Sequence, residues 1–284
     1  MNIILAKHHG MCFGVRDALK ATHAAAQHGP TTILGELVHN QVVTDQLDRL
    51  GVQRGHLRDL KSASTPGVII TAHGASNADR LTWKNQGHQV TDTTCPLVKK
   101  AHAALAMLVG KGYHPVVIGN RDHVEVLGLT GDFPEADVIL SSREIGELEP
   151  RTKFGVVSQT TQPTSRVATL VTALEAHFPN SDVRYVDTVC QPTKDRQTAL
   201  RDLCQKVDLV IAVGGSNSNN TQQLVTTSNR YGVRAYRVAR ASELKMEWFD
   251  GVENVGVTAG TSTLDATIEE VVEALKKLEP LVLA

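Results

Sequence analysis

Three sequence elements recur along this chain at intervals of roughly 85 to 100 residues. The first is a cysteine that precedes a helical pattern, and it occurs at Cys12, Cys95 and Cys190. The helical patterns that follow cover residues 15–26, 97–109 and 193–203. Asp-Thr-Thr precedes the second cysteine and Asp-Thr-Val precedes the third. A fixed period of this kind indicates a repeated structural unit, so the chain is predicted to contain three copies of one unit.

The other two elements are short apolar strands with polar residues just beyond their ends. One strand type ends in glycine, and the residue four positions beyond that glycine is His39, His123 or Ser218. The other strand type runs into small polar residues, in segments 67–74, 155–161 and 256–262. Helical patterns alternate with these strands, which is typical of parallel sheets that are covered on both faces.

These patterns predict an α/β fold of three pseudo-repeated units with mainly parallel sheets. We place the units at residues 1–94, 95–189 and 190–284. In open α/β sheets, ligands bind beyond the carboxyl ends of the strands, where the recurring polar residues fall. If the units pack around a pseudo-threefold axis, their strand ends converge on one central site.

The three repeat-related cysteines suggest a metal at such a site. Each precedes a predicted helix N-terminus, whose partial positive charge favours anionic sulfur. Zinc with an open coordination position fits three thiolates, and so does an iron–sulfur cluster in which one iron has no protein ligand. Cys204 has no counterpart in the other units, so we expect it to be a buried apolar cysteine.

Polar residues at the strand ends favour an anionic ligand and a proton transfer. Segment 214–221 is rich in glycine and amides and precedes a helical pattern, an arrangement that binds anions through backbone N–H groups. His39, His73 and His123 also lie at repeat-related strand ends. Together these residues predict a phosphate or diphosphate site. Two residues beyond His39, His123 and Ser218 lie Gln41, Glu125 and Asn220. Glu125 is the one carboxylate of these three and is a candidate proton carrier.

The overall charge excludes no enzyme class but gives no reason to expect a nucleic acid or an anionic membrane as partner. The chain has 29 basic and 30 acidic residues and a net charge of −1. No apolar run approaches the roughly 20 residues that a membrane helix needs. The N-terminal residues lack the pattern of a signal peptide. We therefore expect a cytoplasmic protein with reduced cysteines.

Taken together, the motifs resemble the 4-hydroxy-3-methylbut-2-enyl diphosphate reductases, which complete the methylerythritol phosphate pathway to isoprenoids. The matching segments run in order through nearly the whole chain: 12–15, 36–40, 72–74, 92–98, 123–126, 158–161, 190, 216–220 and 256–260. The resemblance implies a trefoil of three α/β units around a central [4Fe–4S] cluster. It also implies reductive dehydroxylation of the allylic diphosphate to isopentenyl and dimethylallyl diphosphate.

The resemblance also assigns roles to residues of this chain. Cys12, Cys95 and Cys190 match the cluster ligands and leave one iron for the substrate's hydroxyl group. The residues that match the substrate-binding set are His39, His73, His123, Ser218, Asn219, Asn220 and Ser262. The catalytic set comprises Glu125 as proton donor, Thr160 as the hydroxyl that orients it, and His123 in the pocket lining. Ferredoxin or flavodoxin is the implied electron donor, and we expect a monomer.

Five residues depart from the family's usual pattern, namely Val124, Leu127, Lys194, Asn219 and Leu264. Because Glu125 is retained, we expect proton delivery to be retained as well. The departures leave open a paralogue that acts on another allylic diphosphate or alcohol. A non-catalytic scaffold that binds metal or phosphate is a third interpretation, and the intact glutamate and cysteines argue against it.

Overall fold

The computed structural model describes residues 1–278. The strands are β1 (Asn2–Leu5), β2 (Thr31–Leu34), β3 (Gln53–Gly55), β4 (Gly67–Ile70), β5 (Gln89–Asp92), β6 (His114–Ile118), β7 (Asp137–Ile139), β8 (Lys153–Ser158), β9 (Asp182–Tyr185), β10 (Leu209–Val213), β11 (Arg234–Val238) and β12 (Asn254–Ala259). The α-helices are α1 (Phe13–His28), α2 (Gln41–Arg49), α3 (Asn77–Asn85), α4 (Pro96–Gly110), α5 (Val124–Thr130), α6 (Ser142–Ile145), α7 (Thr164–His177), α8 (Gln191–Cys204), α9 (Asn219–Arg230) and α10 (Asp265–Lys277). Short 3-10 helices cover Leu60–Ser62, Ala241–Glu243 and Met246–Phe249.

The strands form three parallel four-stranded sheets with the same internal order. The orders are β3-β2-β4-β5, β7-β6-β8-β9 and β11-β10-β12-β1. All of the neighbouring strands are parallel. The four strands of a repeat are, in order, β2 to β5, β6 to β9, and β10 to β12 followed by β1. In each sheet the second of these strands lies at one edge, and the first, third and fourth strands follow it across the sheet. The predicted α/β fold with three copies of a parallel-sheet unit is therefore confirmed.

The N-terminal strand completes the third sheet. Strand β1 pairs with β12 in parallel register, with Asn2 opposite Asn254 and Leu5 opposite Val257. It thereby takes the place that β5 and β9 take in the other two sheets. The division of the sequence at 1–94, 95–189 and 190–284 remains a prediction, and the pairing shows that the first strand belongs with a sheet formed mainly by residues 209–259.

By its internal contacts the chain groups into two compact units, which differ from the three repeats of the sequence. From here on, the first unit and the second unit are these two. Among the described residues, the first comprises 1–13, 39–43 and 191–278, and it contains the sheet β11-β10-β12-β1. The second comprises residues 14–38 and 44–190 and contains the other two sheets.

In the first unit, the central strand β10 is apolar on both faces because helices cover both faces. Alternate residues of the strand point to opposite sides. Ile211 and Val213 belong to a cluster with α10, which contributes Val271 and Leu275. Val210 and Ala212 belong to a separate cluster with α8 and α9. This burial explains why the strand is a continuous apolar run rather than an alternating one.

The second unit follows the same rule in the sheet that contains β6. Val116 and Ile118 lie in a cluster with α7. Val117 lies in the cluster on the opposite face, with α4 and α5. In the other sheet of this unit, Trp83 of α3 is fully buried and its indole N–H donates to the carbonyl of Leu57 at 2.7 Å.

A membrane-spanning helix is absent from residues 1–278: none of the helices there is both long enough and apolar enough.

Candidate active site

The recurring polar residues lie at strand ends, as the sequence predicts. First strands of the repeat lead to His39, His123 and Ser218. Third strands lead to His73, Thr160 and Ser262. Fourth strands lead to the cysteines, with Cys95 after β5, Cys190 after β9 and Cys12 after β1. Each cysteine therefore closes one copy of the repeat, and Cys12 closes the copy in the first unit.

Each of these cysteines stands immediately before a helix and is partly exposed. Cys12 precedes α1, Cys95 is the N-cap of α4 with Pro96 as the first helical residue, and Cys190 precedes α8. Proline is favoured there because the first helical N–H has no intrahelical acceptor. The N-terminal end of a helix also favours an anionic group.

The backbone N–H of each cysteine is bonded to the loop after a third strand. Cys95 donates to the carbonyl of Ala72 at 3.0 Å, and Cys190 donates to that of Thr160 at 2.9 Å. Within the first unit, Cys12 donates to Thr261 at 2.9 Å. All three acceptors lie two residues beyond the end of their strand, so the repeat holds the three cysteine backbones in the same way.

A glycine leaves space for the thiol of Cys95. A Cβ placed on Gly14 in the first turn of α1 would overlap Cys95 Sγ and lie 3.3 Å from its Cβ. Any larger residue would push the sulfur from its position. Partly exposed thiols at helix N-termini, one of them with space kept around its sulfur, are a donor set that suits an iron–sulfur cluster.

Glu125 is a buried carboxyl group with one hydrogen-bonding residue. It lies in the first turn of α5 and is 2% exposed. Thr160 donates its backbone N–H to Oε1 at 2.6 Å and its hydroxyl to Oε2 at 2.9 Å. Burial raises the pKa of Glu125 to about 7, against the two bonds from Thr160, which lower it. A carboxyl group with such a pKa can give or take a proton near neutral pH.

Two histidines of the second unit lie near each other. His123 is the N-cap of α5, and its Nδ1 accepts a hydrogen bond from the backbone N–H of Glu125 at 3.1 Å. In neutral His123 the proton is therefore on Nε2. The ring of His73 meets that of His123 edge-to-face, with 5.5 Å between centroids. The two rings place imidazole nitrogens close together, and imidazole N–H groups commonly donate hydrogen bonds to phosphate oxygens.

In the first unit, the glycine-rich segment leads into α9 through a serine cap. Ser218 is the N-cap, and its Oγ accepts from the backbone N–H of Thr221 at 3.3 Å and from its hydroxyl at 3.0 Å. A Cβ on Gly214 or Gly260 would overlap the Thr221 hydroxyl. The sequence needs glycine at both positions because the helix start packs directly against the ends of β10 and β12.

Asn220, in the first turn of α9, has a buried donor that is available for a ligand. The side chain is 4% exposed, and among residues 1–278 its Nδ2 has no hydrogen-bond partner. A buried amide donor without a partner is costly unless a ligand accepts from it. Asn219 precedes it and is partly buried.

Ser262 is held to the segment that carries His39. The Ser262 hydroxyl donates to the carbonyl of His39 at 3.3 Å, and Asn40 Nδ2 donates to the carbonyl of Ser262 at 2.6 Å. These bonds lie within the first unit. Asn40 and Thr221 lie in segments that the sequence picks out, but neither was assigned a role from it. Asn40 acts on a residue 222 positions further along the chain, and Thr221 acts through the hydroxyl of Ser218.

The five departures from the family's pattern lie on the surface or in partly buried positions. Val124 is 40% exposed, and Leu127, Lys194, Asn219 and Leu264 are partly buried. Leu264 precedes α10 without a side-chain cap. None of these side chains replaces Glu125 or a cysteine.

Cys204 lies apart from the repeat positions. It is the last residue of α8, packs beside the apolar cluster of the first unit and donates to Ser228 Oγ at 3.6 Å. Burial raises the pKa of its thiol, against a smaller lowering from the Ser228 hydrogen bond. Cys204 packs against apolar residues as expected, but it is partly buried rather than buried.

Comparison with known proteins places this geometry in one family. The family model described as LytB protein matches residues 3–276. The 4-hydroxy-3-methylbut-2-enyl diphosphate reductase of Geobacter sulfurreducens is 38% identical over 282 residues, which are 98% of each chain. The enzyme of the same name from Aquifex aeolicus is 34% identical and covers 98% of this chain and 97% of its own.

Solved structures agree. The E-1-hydroxy-2-methyl-but-2-enyl-4-diphosphate reductase from Plasmodium falciparum superposes with a TM-score of 0.90 at 27% identity, over 99% of this chain and 89% of that one. A second structure, of (E)-4-hydroxy-3-methyl-but-2-enyl diphosphate reductase, gives 0.69 at 33% identity, over 98% and 100%. The resemblance inferred from the motifs is thereby confirmed, and this chain belongs to the LytB protein family.

Proposed function

We propose that the chain reductively removes the hydroxyl group of 4-hydroxy-3-methylbut-2-enyl diphosphate and yields isopentenyl and dimethylallyl diphosphate. Relatives at 34–38% identity over nearly the full length carry the name of this reductase. The chain is therefore an oxidoreductase, as the sequence predicts. The observation that carries the proposal is the buried carboxyl group of Glu125, which Thr160 holds with two hydrogen bonds.

We assign Cys12, Cys95 and Cys190 as the ligands of an iron–sulfur cluster, and specifically of a [4Fe–4S] cluster. The assignment is supported by their matched positions after the fourth strands and by the space that Gly14 leaves at the thiol of Cys95. When bound, such a cluster would supply one-electron transfers and a Lewis-acid iron for the leaving hydroxyl group.

Glu125 supplies one of the two protons that the reaction consumes, the one that the leaving oxygen takes up. Removal of the hydroxyl group as water and its replacement by hydrogen take up two electrons and two protons. Hydroxide is a poor leaving group, so a proton must reach the oxygen as the C–O bond breaks, and the allylic carbon takes the second. A carboxyl group with a pKa of about 7 is protonated in much of the enzyme at neutral pH. Thr160 fixes both of its oxygens and so sets the direction of transfer.

The remaining assigned residues bind the diphosphate. These are His39, His73, His123, Ser218, Asn219, Asn220 and Ser262. Support comes from the unpartnered buried Nδ2 of Asn220, from the helix N-terminus that Ser218 caps, and from the imidazole rings of His73 and His123. Binding energy from the diphosphate holds the carbon chain in place for reaction at its far end.

We infer further that ferredoxin or flavodoxin delivers the electrons, and that the chain acts as a monomer in the cytoplasm. The electron donor rests on the family resemblance, whereas the cytoplasmic location is the expectation drawn from the sequence. The three-part trefoil around the cluster also remains a prediction of that resemblance.

Anaerobic turnover of the cluster-loaded protein with a reduced viologen tests the activity. The expected result is consumption of 4-hydroxy-3-methylbut-2-enyl diphosphate and formation of both five-carbon diphosphates. A folded, cluster-loaded protein that reduces another allylic diphosphate or alcohol, but not this one, would be the paralogue instead. Retained diphosphate binding without turnover of any allylic substrate would identify a scaffold.

A further inference from the structure

We propose that Asp92 and Asp187 are positioning residues that aim the thiols of Cys95 and Cys190 at the cluster, an inference that rests on the proposed function. Each aspartate lies three residues before its cysteine, at the same place in two copies of the repeat. The reaction chemistry described above uses neither of them.

Both carboxylates accept a backbone hydrogen bond that closes the same kind of turn. Asp92 Oδ1 accepts from the N–H of Thr94 at 2.9 Å, and Asp187 Oδ1 accepts from the N–H of Val189 at 3.1 Å. In each case the donor is the residue directly before the cysteine. An aspartate that bonds the N–H two residues further on forms an Asx turn, which fixes the direction of the chain. The turn therefore sets where the Cα–Cβ bond of the next residue points.

The threonine between aspartate and cysteine attaches both loops to a strand end. The Thr93 hydroxyl donates to the carbonyl of Ile70 at 2.6 Å, and the Thr188 hydroxyl donates to that of Ser158 at 2.6 Å. Ile70 and Ser158 are the last residues of β4 and β8. With the bonds from the two cysteine N–H groups, each loop is held at three successive positions, and the aspartate holds the residue directly before the cysteine.

The carboxylates are themselves held in place. Arg80 Nε donates to Asp92 Oδ2 at 3.3 Å, and Lys99 Nζ lies 3.4 Å from the same oxygen. The hydroxyl of Tyr185 donates to Asp187 Oδ1 at 3.1 Å. A carboxylate with fixed partners transmits its position to the backbone that it binds, as the outer partners of metal ligands do.

Cys12 offers a contrast within the same chain. The residue three positions before it is His9, whose Nδ1 is bonded to the carbonyl of Ala6 at 2.6 Å, toward the preceding strand. The loop before Cys12 is instead held by a residue of another element, the buried Arg196 of α8, which donates to the carbonyl of Gly10. The aspartate turn therefore belongs to two of the three cysteines.

The test compares Asp92→Ala and Asp187→Ala with Asp92→Asn and Asp187→Asn. All proteins are reconstituted anaerobically with ferrous iron and sulfide, and bound iron and the rate of cluster loss to a chelator are measured. We expect the alanine variants to lose the cluster about tenfold faster than wild type. The asparagine variants should retain the cluster better than the alanine variants, because the amide oxygen forms the same turn even though Asp92→Asn loses its ion pairs with Arg80 and Lys99.

Asp132→Ala is the matched control. The carboxylate of Asp132 also accepts two backbone N–H groups, those of Asn77 and Ala78, at 2.8 and 3.1 Å, but at the start of α3, which follows no cysteine. It should lower thermal stability and leave cluster retention unchanged. Equal cluster loss in Asp132→Ala would show general destabilisation and overturn the inference.

The remaining outcomes separate this inference from the proposed function. A wild-type chain that takes up no cluster contradicts the function. Alanine variants that retain the cluster like wild type, or asparagine variants that fail to rescue it, contradict the positioning role alone. If an alanine variant does not fold, Asp→Ser replaces it at that position. Serine forms a weaker version of the turn, so the serine variant should lose its cluster faster than the asparagine variant. Cluster loss at the same rate in both variants would overturn the positioning role.

Discussion

Thr160 joins the buried carboxyl group of Glu125 to the loop that carries Cys190. Its N–H and hydroxyl donate to the two carboxyl oxygens at 2.6 and 2.9 Å, and its carbonyl accepts from the N–H of Cys190 at 2.9 Å. The proposed proton donor and one proposed cluster ligand are thus placed by the same residue. A shift in this loop would move both groups.

Glu125→Gln tests the proton donor. The amide keeps the size of the side chain but has no acidic proton, so turnover should fall by about a hundredfold or more. Iron content should stay at the wild-type value. Glu135→Gln is the control, because Glu135 is exposed on the same unit, and its turnover should be unchanged. An unchanged turnover rate in Glu125→Gln would show that Glu125 is not the proton donor.

The pH dependence of turnover follows from the same group. Burial raises the pKa of Glu125 from its ordinary value to about 7, so the proton needed for transfer is present below that pH and lost above it. Turnover should therefore decline by about tenfold for each pH unit well above 7. The residual rate of Glu125→Gln should lack this decline. A wild-type profile that stays flat from pH 6 to about 9 would argue against Glu125 as the acid.

Gly14→Ala tests the space kept at Cys95. The added methyl group would displace the sulfur, because the new Cβ overlaps it. We expect a folded protein that binds less than about half of the wild-type iron. Gly110→Ala is the control, since Gly110 ends the helix that Cys95 begins and a Cβ there meets nothing within 4 Å. Full iron content in Gly14→Ala would show that the sulfur is free to move.

Asn220→Ala tests the buried donor in the proposed diphosphate site. Loss of a hydrogen bond to a charged phosphate oxygen should raise KM at least about tenfold, with a smaller effect on kcat. Gln222→Ala serves as the control because Gln222 is exposed on the same helix. Equal KM values for Asn220→Ala and wild type would exclude a bond from Asn220 to the substrate.

Periodic features of the chain were predictable from the sequence. The cysteines, the strand-end histidines and the segment before α9 lie where the repeat places them, because a strand followed by a glycine or small polar residues is a local pattern. The aspartate turns before Cys95 and Cys190 are equally local, and the shared Asp-Thr motif was visible in the sequence. Their effect on the thiols became evident only from the hydrogen bonds.

Long-range pairings were not predictable. Strand β1 joins a sheet whose partner residues lie 252 positions away, and a four-residue strand with three apolar residues carries no mark of that partner. The contact of Gly14 with Cys95 likewise depends on how α1 packs against the start of α4. The burial of Glu125 is set by its position in α5 together with a loop 35 residues further on, so its pKa could not be inferred from spacing.

Iron and sulfide counts on anaerobically reconstituted wild type, Cys95→Ser and Cys204→Ser decide whether the three repeat-related cysteines hold a [4Fe–4S] cluster. We expect about four irons and four sulfides per chain for wild type and for Cys204→Ser. Cys95→Ser should fold but hold no stable cluster. Equal iron content in Cys95→Ser and wild type, or loss of the cluster in Cys204→Ser alone, would contradict the assignment of the three repeat-related cysteines.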